Sequence, residues 1–118
     1  MSAGPAPFAV RSKVWIEDAD GNVVFGMGRY RMLATIRATG SLNATAKALK
    51  MSYRAVWMRI RMSEERLGKT LVETQGNGSR LTPFAERLMG QFDKLQAQVN
   101  HQSDDFFANL MCDSLAQR

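Results

Sequence analysis

Two rhythms of apolar positions run along this chain, and the changes between them mark its elements. Between residues 53 and 67, Val56, Ile60, Ser63 and Leu67 recur at steps of four, three and four. That is the spacing of one mostly buried stripe on an α-helix. Ser52 stands where an N-cap belongs, and Gly68 where a left-handed C-terminal cap belongs. A shorter helix is predicted over residues 42–50, opened by Ser41 or Asn43, between which the sequence does not choose. Its Ala44, Ala46 and Ala48 permit close approach of a neighbour, and Leu42, Leu49 and Met51 are expected to meet Val56 and Ile60. The two helices and their short turn form a helix-turn-helix pattern. Upstream, residues 28–38 predict a further helix with Tyr30, Met32, Leu33 and Ile36 inward and Arg29, Arg31 and Arg37 outward.

Two stretches switch to hairpin patterns. In residues 13–26, Val14, Trp15 and Ile16 lead into Asp20-Gly21, and Val23, Val24 and Phe25 lead out. This predicts a type I′ hairpin with Ile16 opposite Phe25 and Glu17 opposite Val24. An isolated hairpin is barely stable, so this one must pack on the helices or pair with another chain. In residues 69–82, Leu71-Val72 can pair with Arg80-Leu81-Thr82 across Gly76-Asn77-Gly78-Ser79. A hairpin directly after a helix-turn-helix is the wing of a winged helix, and a glycine-bearing tip lets backbone approach a phosphate chain. The plain alternative is a surface hairpin.

From Thr82 the pattern is helical again, with Thr82 as N-cap and Pro83 as first helical residue. Ala85, Leu88, Phe92, Leu95, Val99, Gln102 and Phe106 then alternate steps of three and four, a heptad seam of about three repeats. This reads as a dimerisation helix. The alternative is an amphipathic helix lying on its own domain, which length disfavours, because about 20 helical residues span roughly 30 Å. Ser103-Asp104-Asp105 is expected to interrupt the helix, with Ser103 capping a short final piece through Leu110 and fraying beyond Cys112. The predicted fold class is α+β, mainly α: a winged helix-turn-helix with a leading hairpin and a long C-terminal helix. The expected divisions are a flexible N-terminus over 1–12, the winged domain over 13–82, and the dimerisation helix with its tail over 83–118.

Charge sharpens this picture. The 118 residues carry a net charge of +5, but unevenly. Residues 29–82 hold eleven Lys/Arg against three acids, and the remainder holds five against eight. A basic middle between acidic ends suggests a polyanionic partner on one part of the surface. A lone cysteine, Cys112, allows no internal disulfide, and His101 is the only histidine. No metal site, cofactor or catalytic triad is expected from that set, and the protein does not read as an enzyme. Asp18, Asp20 and Asn22 mimic the start of a calcium loop, but the required Gly and Glu are replaced by Val23 and Arg29. No membrane span is present in the sequence, and the N-terminus lacks a signal-peptide core, so the expected compartment is the cytoplasm.

The outer face of helix 53–67 carries Tyr53, Arg54, Trp57, Met58 and Arg61, with Arg59 to one side and no acid before Glu64. Basic and aromatic groups at helical spacing are what a recognition helix inserts into the DNA major groove. Arg54, Arg59, Arg61, Lys69 and Arg80 are candidate phosphate or guanine contacts, with Asn77 at the wing tip. Trp57 has a second reading, half-buried against the preceding helix. Glu64-Glu65 and Asp104-Asp105 read as solvated faces. The function reading is a sequence-specific DNA-binding regulator. The alternative is a winged-helix protein-interaction module whose basic face docks an acidic partner and whose heptad helix pairs with another regulator.

Residues 28–95 resemble the winged helix-turn-helix of the LysR-type regulators. The likeness rests on G-S-L at 40–42, A-x-x-L at 46–49, Ser52, the span from Ile60 to Leu67-Gly68, and L-T-P-F-A at 81–85. Within that group, Ser52-Tyr53-Arg54-Ala55-Val56-Trp57 is similar to the S-Y-K-x-A-W of ModE-type molybdate-responsive regulators. The resemblance implies a homodimer that reads an inverted-repeat operator with two recognition helices. It places Ser52, Tyr53, Arg54, Trp57, Met58 and Arg61 at DNA-facing positions, although Met58 departs from the basic or polar residue often found there. ModE-type regulators continue into oxyanion-binding domains, whereas this sequence stops at Arg118. The expectation is therefore a stand-alone DNA-binding version, a half that works with a separate sensor, or a shortened form, without a molybdate pocket.

Overall fold

The computed structural model describes residues 8–116, with side chains through Asp113. Its elements run β1 (Trp15–Glu17), β2 (Val23–Gly26), α1 (Met27–Thr39), α2 (Leu42–Ala48), α3 (Tyr53–Leu67), β3 (Val72–Gln75), β4 (Gly78–Leu81) and α4 (Pro83–Ala116). Two compact units emerge. One is Trp15–Gln91; the other joins the described parts of Met1–Val14 and Phe92–Arg118.

Local chemistry explains the helix ends. The Ser41 hydroxyl accepts from the Ala44 N–H at 3.0 Å, so Ser41 and not Asn43 caps α2. The Ser52 hydroxyl accepts from the Ala55 N–H at 3.0 Å at the start of α3. Gly40 and Gly68 both take φ +69° behind α1 and α3, where a Cβ would be strained. The end of α2 is less usual. Met51 donates to the Ala46 carbonyl and Lys50 to that of Lys47, the paired bonds of a Schellman motif. Its left-handed position is held by Lys50 at φ +56° rather than by glycine.

The leading hairpin differs from the type I′ expectation. Gly21 has φ +85°, but Asp20 does not adopt positive φ. Gly21 donates to the Asp18 carbonyl at 3.1 Å and Asp18 to that of Asn22 at 2.9 Å, closing a three-residue loop. The cause is the Asp18 carboxylate, which accepts from the amides of Asp20 and Asn22, each at 2.9 Å. This Asx-type anchoring favours a type I turn followed by a left-handed glycine. Ile16 faces Phe25 as the pattern predicts, but a register shift then sets Glu17 against Val23 instead of Val24. β2 lies on α1 and α3, and the Arg66 guanidinium donates to the Val23 carbonyl at 2.7 Å.

The second hairpin is tighter than the sequence suggests. Val72 pairs with Leu81 and Gln75 with Gly78, which leaves Gly76-Asn77 as a two-residue turn with Gly76 at φ +58°. Gly78 and Ser79 belong to the strand, not the tip. The reason is contact with the turn between α1 and α2: Ser79 donates to the Gly40 carbonyl at 2.9 Å. A Cβ at Gly78 would come within 2.5 Å of that same oxygen.

The core of the Trp15–Gln91 unit is built from Phe25, Leu33, Ile36, Val56, Leu71 and Met89. Among the three expected partners of Val56 and Ile60, Leu42, Leu49 and Met51 are only half-buried. The Thr82 hydroxyl donates to the Thr70 carbonyl and accepts from the Ala85 N–H, tying the wing to the first turn of α4. That helix then runs unbroken through Ser103-Asp104-Asp105 to Ala116, contrary to the expected interruption and cap. Ser and Asp cost a helix interior only a few tenths of a kcal/mol each, and no Gly or Pro stands there to stop it. His101 also approaches Asp105 at 3.3 Å, one turn on.

In the second unit, residues 8–14 form no helix or strand. The Ser12 hydroxyl nevertheless donates to Asn100 and accepts from the Gln96 amide on α4. Of the lead-in expected to be flexible, residues 1–7 lie outside the described residues. No described helix is long and apolar enough to cross a membrane.

Candidate nucleic-acid interface

The second helix of the helix-turn-helix, α3, divides cleanly around its axis. Val56, Ile60 and Ser63 are buried, while Tyr53, Arg54, Trp57, Met58, Arg59 and Arg61 are exposed. Tyr53 is 47 %, Trp57 41 % and Met58 42 % exposed, large apolar or aromatic surfaces for positions facing water. Met62, one turn beyond Met58, extends the same row at 36 %. The face expected from the sequence includes Arg61 but omits Met62, although a step of four from Met58 points to it.

Trp57 is exposed on one side and packed on the other, where its ring borders a crevice with Leu42, Ile60, Arg61 and Val72. The Arg61 guanidinium carbon lies 5.7 Å from the ring centroid, within cation–π range. The same guanidinium donates to Glu64 Oε1 at 2.5 Å. Glu64 is not the solvated acid that the Glu64-Glu65 pair suggests. Its other oxygen accepts from the Leu71 and Val72 amides at 2.8 and 3.1 Å, and its side chain is only 10 % exposed. Nothing local in the sequence signals this role, because the two amides arrive only when β3 folds back beside α3.

The remaining candidates fall into two sets. The side chains of Arg54, Arg59 and Lys69 are exposed and make no ion pair or hydrogen bond among the described residues. Arg80 is partly neutralised on the wing, where its Nε lies 2.9 Å from Glu73 Oε1 across the β3–β4 pair. Asn77 is exposed at the tip, and Ser52 is exposed with its hydroxyl engaged as a cap.

Arg29 corrects the outward placement given to it by helical spacing. It is half-buried, and its Nε donates to the Ser63 hydroxyl at 3.2 Å. Burial, then repulsion from Arg59 and Arg66, lowers its pKa from the ordinary guanidinium value. It therefore helps to hold α1 on α3. Among the described residues no cluster of three or more His, Cys, Asp or Glu could hold a metal ion.

On α4 the heptad positions separate. Ala85 and Phe92 are already buried within a single chain, and Leu88 and Val99 are half-buried. Leu95, at 40 %, and Phe106, at 73 %, are exposed. A shallow apolar groove in this unit is bordered by Val10, Gln102, Ser103, Phe106, Phe107 and Leu110.

Comparison with known proteins agrees with this geometry. The chain is 33 % identical over 78 residues to the transcriptional regulator ModE of Haemophilus influenzae, covering 62 % of this chain and 31 % of that protein. It is 30 % identical over 93 residues to the molybdenum-pterin-binding protein MopB of Rhodobacter capsulatus, covering 75 % of this chain and 34 % of that one. The chain thus spans about a third of the length of these relatives. Its fold is similar to the crystal structure of the CbnR DNA-binding domain in complex with DNA. That likeness has a TM-score of 0.59 at 19 % identity and covers 73 % of this chain and 99 % of that one. The BenM DNA-binding domain on benA site 1 DNA is similar at a TM-score of 0.56, again at 19 % identity, over 73 % of this chain and 97 % of that one. The profile of the bacterial regulatory helix-turn-helix proteins of the lysR family matches residues 27–86, just over half of the sequence, and the chain belongs to that family.

Proposed function

We propose that this protein is a sequence-specific DNA-binding transcriptional regulator that acts as a homodimer on an inverted-repeat operator. One observation carries the reading: a cationic, ring-bearing face on α3 stands clear of the core, with a hairpin wing beside it. In this reading α3 enters the major groove. Arg54, Arg59 and Lys69 meet phosphates or guanines without first breaking an ion pair, whereas Arg61 and Arg80 begin from pairs with Glu64 and Glu73. Tyr53, Trp57 and Met58 lie against sugars or thymine methyls, Ser52 meets the backbone where α3 begins, and Asn77 reaches it from the wing. The outer face of α4, through Leu95, Val99 and Phe106, pairs two chains, with Ala85, Leu88 and Phe92 bracing that helix. Relatives are named for molybdenum, which is said of those proteins, and no molybdate binding is proposed for the residues described.

Fluorescence anisotropy on labelled duplexes tests the reading. Log affinity should fall linearly with log salt as counterions are released. Arg54→Ala should cost about 1–3 kcal/mol and relax preference at one base pair if Arg54 reads a base. An equal loss on every sequence would assign it to the backbone instead. The exposed row Tyr53, Trp57, Met58 and Met62 also suits a protein partner. No retardation of any duplex at low salt would favour that second reading.

A further inference from the structure

Glu64 joins two parts of the interface that the sequence keeps separate. One carboxylate oxygen accepts from the Leu71 and Val72 amides, which set the root of the wing. The other holds Arg61, which lies over the Trp57 ring. The side chain doing this is nearly buried, while Arg61 keeps 44 % of its side-chain surface exposed. A carboxylate taken out of water and satisfied by three donors is a firm anchor, because releasing any one of them leaves charge poorly solvated.

Resting on the DNA-binding reading, we infer that Glu64 is a positioning residue for recognition: it holds Arg61 and Trp57 as one preformed unit and keeps Arg61 from serving as a free phosphate contact. A lone arginine on a recognition helix is drawn to any phosphate and adds affinity without discrimination. An arginine pinned by a carboxylate carries little net charge, so it contributes little to counterion release. Its remaining N–H donors and the ring beneath it are presented in one orientation, which a base edge or a thymine methyl can match. The wing and this unit share one anchor, so a wing displaced by a poorly fitting duplex disturbs both together.

The test compares wild type, Glu64→Gln, Arg61→Gln and the double variant in the intact protein. Binding is measured by anisotropy on an enriched site and on a random duplex across a salt series. Glu64→Gln should bind the random duplex more tightly at low salt and steepen the salt slope by about 0.9, one additional counterion. Its specific-to-random affinity ratio should fall about fivefold or more, the low end of a lost base contact. Arg61→Gln should lower the ratio with little change in slope, and in the double variant the added slope should vanish. An unchanged Glu64→Gln protein, or one weakened equally on both duplexes with the wild-type slope, overturns the inference by assigning Glu64 a purely structural role. If Glu64→Gln does not fold, Arg61→Gln decides alone, because it leaves the carboxylate on the wing amides. A slope reduced by about 0.9 with an unchanged ratio would show Arg61 to be an ordinary phosphate contact. Wild type that binds no duplex overturns the DNA-binding reading and this inference together; wild type that binds while the variants fail as described overturns only the inference.

Discussion

Two single residues depart from what their local geometry favours. Lys50 occupies the left-handed position of the Schellman motif behind α2, where a Cβ costs roughly 1–2 kcal/mol. Lys50→Gly should therefore stabilise the fold by about 0.5–1 kcal/mol after the added flexibility of the unfolded glycine is offset. Urea denaturation reads the gain directly. Asp18 is held differently. Its carboxyl pKa is lowered, chiefly by the hydrogen bond from the Asn22 amide and further by the Asn22 side chain, the Asp20 amide and the Arg66 charge. A carboxylate that is more acidic folded than unfolded stabilises the fold above the ordinary carboxylate range. That contribution is lost as pH falls through the depressed folded value. Thermal melts across acid pH should show wild type more stable than Asp18→Asn above that window, with the difference closing within it. A constant difference at every pH would assign Asp18 a role independent of its charge.

Elements hold together here through close backbone approaches as much as through side chains. The wing is seated where Ser79 donates to Gly40 and where Gly78 leaves no room for a Cβ. Gly78→Ala should displace β4 from the α1–α2 turn and cost about 1–3 kcal/mol, as overpacking usually does. Gly90 makes the opposite case on α4. It is exposed, with nothing within 4 Å of an added Cβ, so Gly90→Ala should stabilise by about 0.5–1 kcal/mol through helix propensity. Guanidinium titrations of the pair check both signs. Helix α3 and its caps followed from spacing because both ends depend on a single nearby residue. The Asp20-Gly21 turn did not, since the Asp18 side chain competes for the same amides and selects another loop.

For the protein as a whole, the proposed pairing of two chains rests on the outer stripe of α4. Leu95, Phe106 and Leu110 stay exposed, and the homodimer proposed above would pair two chains along them. Leu95→Asp with Phe106→Asp should move sedimentation toward the monomer and weaken binding to a two-half-site duplex far more than to a single half-site. Unchanged sedimentation would remove α4 from the assembly. The segregated charge of the sequence belongs to this scale too, since a net-positive middle steers a polyanion from a distance and screens with salt.

Periodicity, caps and turn residues were enough to read the helix-turn-helix, the wing, the long last helix and the outward basic–aromatic row, because each is encoded within a few neighbouring residues. Contacts between distant segments were not legible in that way. Arg29 reaches Ser63, Glu64 reaches the amides of Leu71 and Val72, and Gly78 meets Gly40. Each of these depends on where another element comes to rest, and spacing along one helix or strand carries no information about that.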